Sequence, residues 1–199
     1  VWDTNSFFQG SFVKEVNDQF KTQVNAKYAF YRTHYVNNDD KLIEVDNLYK
    51  QREVYVSTAN MYTIFPFWDV SMSYDFQWNE MKADMYGFVF PTRFTNLLSI
   101  ATALRLGKVK LQGSGLATFV NDRVKEGPAP KARQILTPAV FLSYKLFDKH
   151  DFSLRAFYKK TFRMPTFNDL YYADMGNSKL DPEYVTQYNL GTVYQKQIG

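Results

Sequence analysis

Over residues 20–30 and again over 69–79, this chain sorts its side chains by odd and even position. Phe20, Thr22, Val24, Ala26, Tyr28 and Phe30 occupy one parity, while Lys21, Gln23, Asn25 and Lys27 occupy the other. Val70, Met72, Tyr74, Phe76 and Trp78 likewise interleave with Asp69, Ser71, Ser73, Asp75, Gln77 and Asn79. A period of two puts each set on its own face of a strand, whereas helical spacing would scatter both around a cylinder. Ordinary strands average about 5–6 residues and membrane strands need about 9–11. Alternation sustained over these stretches therefore points to strands that cross lipid.

Similar alternation places Phe152, Leu154, Ala156 and Tyr158 opposite Ser153, Arg155, Phe157 and Lys159, and recurs over 186–195. Less regular versions occupy about 4–17, 51–65, 92–106, 108–122 and 134–147, which makes roughly nine or ten strands. Turn signals separate them at Asn17-Asp18, Asn37 to Asp40, Gly107-Lys108, Asp122 to Pro130 and Asp148 to Asp151. Short and long connections alternate, as the periplasmic turns and outer loops of an outer-membrane barrel do. The expected fold is all-β: one long antiparallel meander over residues 1–199, part of a transmembrane β-barrel.

Composition supports this and narrows the function. The aromatic fraction of 18% suits pleated surfaces. No run of about 18 apolar residues marks a transmembrane helix, but a membrane strand hides its apolar half at alternate positions. The formal net charge of +4 comes without a basic run on a helical pattern, so no nucleic-acid partner is expected. Cysteine is absent, which removes disulfides and thiolate metal sites. Val1 is followed by no charged-then-apolar leader, so the chain reads as a segment of a longer protein.

The most informative stretch runs Thr161-Phe162-Arg163-Met164-Pro165-Thr166-Phe167-Asn168-Asp169-Leu170-Tyr171-Tyr172, then Gly176-Asn177, then Leu180-Asp181-Pro182-Glu183 and a strand ending in Tyr194. Read alone, it is a strand stopped at Pro165, which has no N–H for the ladder, then an irregular loop and a new strand after Pro182. The order FR-x-P-T-F-N-x-L-Y, GN-x-x-L-x-P-E, strand resembles the motif of TonB-dependent outer-membrane receptors. The match is specific over about 161–194; Asp181 stands where the family usually has Lys.

That resemblance implies a plugged barrel of roughly 22 strands in the bacterial outer membrane. Such a receptor imports a nutrient such as an iron-siderophore, cobalamin or glycan with energy from the TonB inner-membrane complex. The plug domain and a TonB-contacting segment are not recognisable, so the chain is read as barrel alone. Its expected partners are outer-membrane lipid, the TonB complex through the missing plug region, and a small-molecule or oligosaccharide ligand. The ligand candidates are Asn168, Asp169, Tyr171 and Tyr172, with Arg163 and Glu183 either orienting the wall and tethering the loop or touching ligand. Haem importers of the family carry a histidine between the FR-x-P and Asn-Leu elements, and none lies between Pro165 and Leu180.

Inward Lys21, Lys27, Arg155 and Lys159 are expected to solvate a polar lumen, to pair with carboxylates such as Asp69 and Asp75, or to attract an anionic cargo. His34 and His150 are the only imidazoles, and His150 reads as a surface-turn residue. No catalytic residue, metal ligand or cofactor is expected, since Ser153 near His150 lacks a nucleophile's setting. Two other readings are a soluble or surface-anchored β-sandwich carbohydrate-binding module, and a passive porin. Too few strands are present to close a receptor barrel. The segment is therefore expected as an open curved sheet, a smaller closed barrel, or an assembly pairing its edges.

Overall fold

The computed structural model describes residues 1–37, 45–127, 129–147, 151–171 and 176–195. Among these, nine strands form one sheet: β1 (Trp2–Glu15), β2 (Phe20–Asn37), β3 (Val45–Phe65), β4 (Trp68–Ala83), β5 (Thr92–Leu106), β6 (Val109–Arg123), β7 (Arg133–Lys145), β8 (Asp151–Arg163) and β9 (Glu183–Gln195). They pair antiparallel in chain order. Within the chain the sheet is open and does not close into a smaller barrel, with β1 and β9 as its two edges among the described residues. One helical turn, α1 (Phe167–Tyr171), lies between β8 and β9.

Register decides which side chains share a face. Tyr28 sits opposite Val54, Val54 opposite Trp78, Trp78 opposite Phe94, and Phe94 opposite Asn121. Every member of this row belongs to the oily parity. The other parity carries Lys27, Tyr55, Gln77, Thr95 and Val120 in one continuous row. Large apolar residues of the oily parity are exposed, among them Val24, Val56, Met72, Leu98, Ile100, Leu136 and Leu190. The polar parity faces the side on which α1 packs, so we call it inner.

The outer face suits hydrocarbon in a further respect. Its polar side chains satisfy one another: Thr22 donates to Asn60 at 2.8 Å, Tyr74 to Asn96 at 2.7 Å, and the Trp68 indole to Thr102 at 2.8 Å. Paired in this way, they need no water. On the inner face Lys27 bonds Glu53 at 2.9 Å, and Lys21 bonds Glu15 at 3.1 Å. The carboxylates expected to serve these lysines are otherwise engaged, Asp69 by Arg105 and Thr63, and Asp75 by Tyr55.

The two ends of the sheet differ. Residues 16–19, 66–67, 107–108 and 146–150 connect strands at one end, and 38–44, 84–91, 124–132 and 164–182 at the other. The short end carries two-residue turns, one built on Gly107 with φ 58°, the positive φ a tight hairpin needs at its first turn position. Aromatic rings crowd this rim: Phe65 stacks on Phe67 at 5.4 Å, and Phe152 lies 6.0 Å from Phe147 and 6.5 Å from Tyr194. Asp122, read from sequence as the start of a turn, instead belongs to β6, which continues to Arg123. The turn histidine His150 lies outside the described residues.

Candidate functional site

The site is built where the wall parts. β7 and β8 pair only over Ala139–Lys145 and Ser153–Lys159, so Arg133–Pro138 and Lys160–Arg163 are unpaired with each other. Chain leaving β8 at Pro165 turns across the inner face. Thr166 begins α1 with a reciprocal cap: its N–H donates to Asp169 Oδ2 at 2.8 Å, and the Asp169 N–H donates to Thr166 Oγ1 at 3.2 Å. The amide hydrogen bond from Thr166, then its hydroxyl, then the Arg163 cation hold the Asp169 carboxyl below the usual aspartate range.

Packing then fixes the turn. Phe167 is buried with Tyr49 of β3, Met81 and Ala83 of β4, and Phe88 of the β4–β5 connection. Beneath it, Arg93 of β5 grips Asp122 of β6 through two bonds of 2.7 Å, with side chains only 11% and 4% exposed. The same guanidinium donates to the Pro165 carbonyl at 2.7 Å and lies 5.2 Å from the Phe167 ring centre. One arginine thus joins the wall to the inward loop. Behind the loop, Arg133 of β7 pairs with Asp181.

Two cavities meet at the loop. One, of about 510 Å³, is lined by Gln51, Glu53, Gln77, Asn79, Arg93 and Thr118 and roofed by Thr166, Phe167 and Asn168. The other, of about 360 Å³, is lined by Tyr31, Tyr35, Tyr49, Met81, Gln51 and Asn168. The first mixes amides and hydroxyls with Glu53, Arg93 and the apolar Leu97, Val120, Phe162 and Met164, while aromatic rings and a thioether are prominent in the second. The Thr118 hydroxyl is buried against the larger cavity without a hydrogen-bond partner among the described residues.

Of the residues singled out from sequence, Asn168 alone borders both cavities. Asp169 is occupied with capping. The Tyr171 ring packs 6.1 Å from Phe167, and its hydroxyl is buried without a hydrogen-bond partner among the described residues. Burial, then the Asp122 carboxylate, push that phenol up to about 12 against the opposing Arg93. Arg163 is exposed at the end of β8, 3.4 Å from Glu183 and 3.8 Å from Asp169. It braces the loop against β9. Tyr172 lies outside the described residues. Sequence reading missed Arg93, Asp122 and Thr118, whose only signal is inner parity, with Arg93 and Asp122 near strand ends and Thr118 inside β6.

The family model "TonB dependent receptor-like, beta-barrel" matches residues 2–199. No curated protein sequence matches the chain. Among solved structures, the copper transporter OprC superposes with a TM-score of 0.75 at 15% identity, covering 96% of this chain and 36% of that one. The ferric citrate transporter FecA in its unliganded form gives 0.67 at 13%, covering 97% and 32%. BauA, the ferric preacinetobactin receptor of Acinetobacter baumannii, gives 0.60 at 15%, covering 96% and 34%. The chain spans about a third of each of these proteins. At such identities the likeness shows a shared fold, and with the family match over nearly every residue it places the chain in the family of TonB-dependent receptor β-barrels.

Proposed function

We propose that this chain is barrel wall of an outer-membrane receptor that takes up a nutrient using energy relayed by the TonB inner-membrane complex. Its cargo would be captured on the inner face at the long-loop end. The observation that carries the proposal is the inward loop, which Arg93 and Phe167 pin over a pair of cavities with Asn168 between them. Contact would come from Asn168, from the unpartnered Thr118 hydroxyl, and from the Tyr31, Tyr35 and Tyr49 side. Tyr171 keeps its proton at physiological pH, so its hydroxyl can donate as well as accept a hydrogen bond. Asp169 and Arg163 position the loop. The plug and the segment that touches TonB would be supplied by other parts of the protein.

The test uses the intact protein in its native cell. Extraction from membranes by detergent and not by a salt wash is expected, and release by salt favours the soluble sugar-binding reading. Growth on limiting iron, cobalamin or glycan is then compared between a deletion strain, the complemented strain and one carrying Asn168→Ala. The expected result is restored growth on one nutrient class with the wild type and at least a several-fold higher requirement with the variant. Indistinguishable growth of variant and wild type would remove Asn168 from the site.

A further inference from the structure

The ladder between β7 and β8 runs from Lys145 opposite Ser153 to Ala139 opposite Lys159 and stops. The next rung would set Pro138 against Lys160, and proline has no N–H to give a neighbouring strand. Beyond that point each strand keeps its other partner, Arg133–Pro138 on β6 and Lys160–Arg163 on β9. The wall therefore parts along about 13–20 Å of strand. Arg133, paired with Asp181, closes the opening at the loop end.

Apolar side chains stand at the opening. Phe162 has the outward parity of Leu154, Ala156 and Tyr158, and its partner on β9, Tyr184, is 65% exposed. Phe162 nonetheless lines the 510 Å³ cavity on the inner side, as does Met164. Cavity and outer face are thus divided here by side chains and not by a hydrogen-bonded ladder. On the opposite bank Leu136 points outward and is 68% exposed, on the same rung as Ala117 and Leu98.

The cavity is polarised toward this seam. Its β3 and β4 side is polar, with Gln51, Glu53, Gln77 and Asn79. β5 and β6 mix Thr95 and Thr118 with Leu97 and Val120, and the end of β8 supplies Phe162, with Met164 just beyond it. The charged side chains of the lining are already paired, Glu53 with Lys27 and Arg93 with Asp122. The polar side therefore offers a ligand neutral amides and hydroxyls. Among them is the buried Thr118 hydroxyl, which has no hydrogen-bond partner among the described residues.

We infer that the seam between β7 and β8 admits the hydrocarbon chain of an amphiphilic cargo whose neutral, hydroxyl-rich or amide-rich head sits in the cavity. The chain passes between Phe162, Met164 and Leu136 toward lipid, so it stays out of water while the head is held. Water from the cavity reaches the peptide groups along the seam. A peptide strand added there would have to displace Phe162 and would meet Pro138 without a donor. The inference rests on the cavity reading proposed above and narrows it to one class of cargo.

The test uses the intact protein in phosphatidylcholine nanodiscs. The probes are maltose and dodecyl maltoside, the latter carrying a diazirine at its chain end for photolabelling. With about four methylenes held at the seam, dodecyl maltoside should bind about 100-fold more tightly than maltose. Label should concentrate on Leu136, Phe162 and Met164, several-fold above outward Met72 and Leu98, and disappear with excess unlabelled dodecyl maltoside. Met164→Trp, which fills the opening, should cut that labelling several-fold, and Asn168→Ala should weaken binding of both probes. Label spread evenly over outward residues of the wild type would mean a chain dissolved in the bilayer and would overturn the inference, whether or not Met164→Trp folds. Equal affinity for the two probes, or seam labelling that Asn168→Ala leaves unchanged, would overturn it too. Slower hydrogen exchange at 133–137 with an extended Val-Thr decapeptide, and no seam label from dodecyl maltoside, would assign the seam to strand addition instead. Growth of the Asn168→Ala strain separates the two readings. A raised nutrient requirement with an unlabelled seam sinks this inference alone, and unchanged growth sinks the cavity reading and this inference with it.

Discussion

Arg93 does three jobs with one guanidinium, and substitution separates them. Arg93→Ala leaves the Asp122 carboxylate buried without its partner, which should cost about 3–5 kcal/mol of folding stability. The double change R93M/D122L removes both charges and should recover most of that loss. The Pro165 carbonyl loses its donor in both variants, so hydrogen exchange at residues 164–171 should be faster than wild type even where Tm is restored. Asp169 gives a second residue-level expectation. Its folded carboxyl is held below the ordinary aspartate value of about 3.9, so the stability it lends is fully present above that value. It is lost as pH falls through the depressed folded value. Exchange of the α1 amides should accordingly stay constant from neutral pH down to the carboxylate range after correction for intrinsic rates, then rise. Asp169→Asn should flatten that dependence. None of the Arg93 contacts was legible in the sequence, because Arg93 and Asp122 meet only once β5 and β6 are placed in register.

At the scale of elements, alternation located the strands that lipid constrains and lost them where lipid ends. β2 runs to Asn37 and β3 starts at Val45, but the oily parity is interrupted by Arg32 and His34 on one strand and by Lys50 and Arg52 on the other. Above the apolar band nothing requires alternate positions to be apolar, so the sequence carries no period there. α1 was hidden for a different reason. Asn168 and Asp169 are turn formers by composition, and this single turn is stabilised by burial of Phe167 and Leu170 together with the Thr166–Asp169 cap. The same face assignment makes a strand-level prediction. Leu98→Arg, outward near the middle of β5, should cost about 2–4 kcal/mol in lipid, whereas Ser99→Arg on the inner face should cost much less. Denaturant unfolding of the two variants in vesicles measures the difference, and equal costs would contradict the two-faced wall.

Across the whole molecule, β1 and β9 leave two full-length borders of peptide groups with no neighbour in this sheet. Hydrocarbon offers those N–H and C=O groups nothing, at several kcal/mol for each one left bare. Entry of these nine strands into a bilayer therefore has to be concerted with whatever seals both borders. A partly inserted intermediate would be held at the water interface until the circuit is complete. The segment made on its own should collect as aggregates or edge-joined oligomers, while the intact protein should show a single sigmoidal insertion transition with no stable half-inserted state. Time-resolved fluorescence of outward Trp78 during refolding into vesicles would report that synchrony.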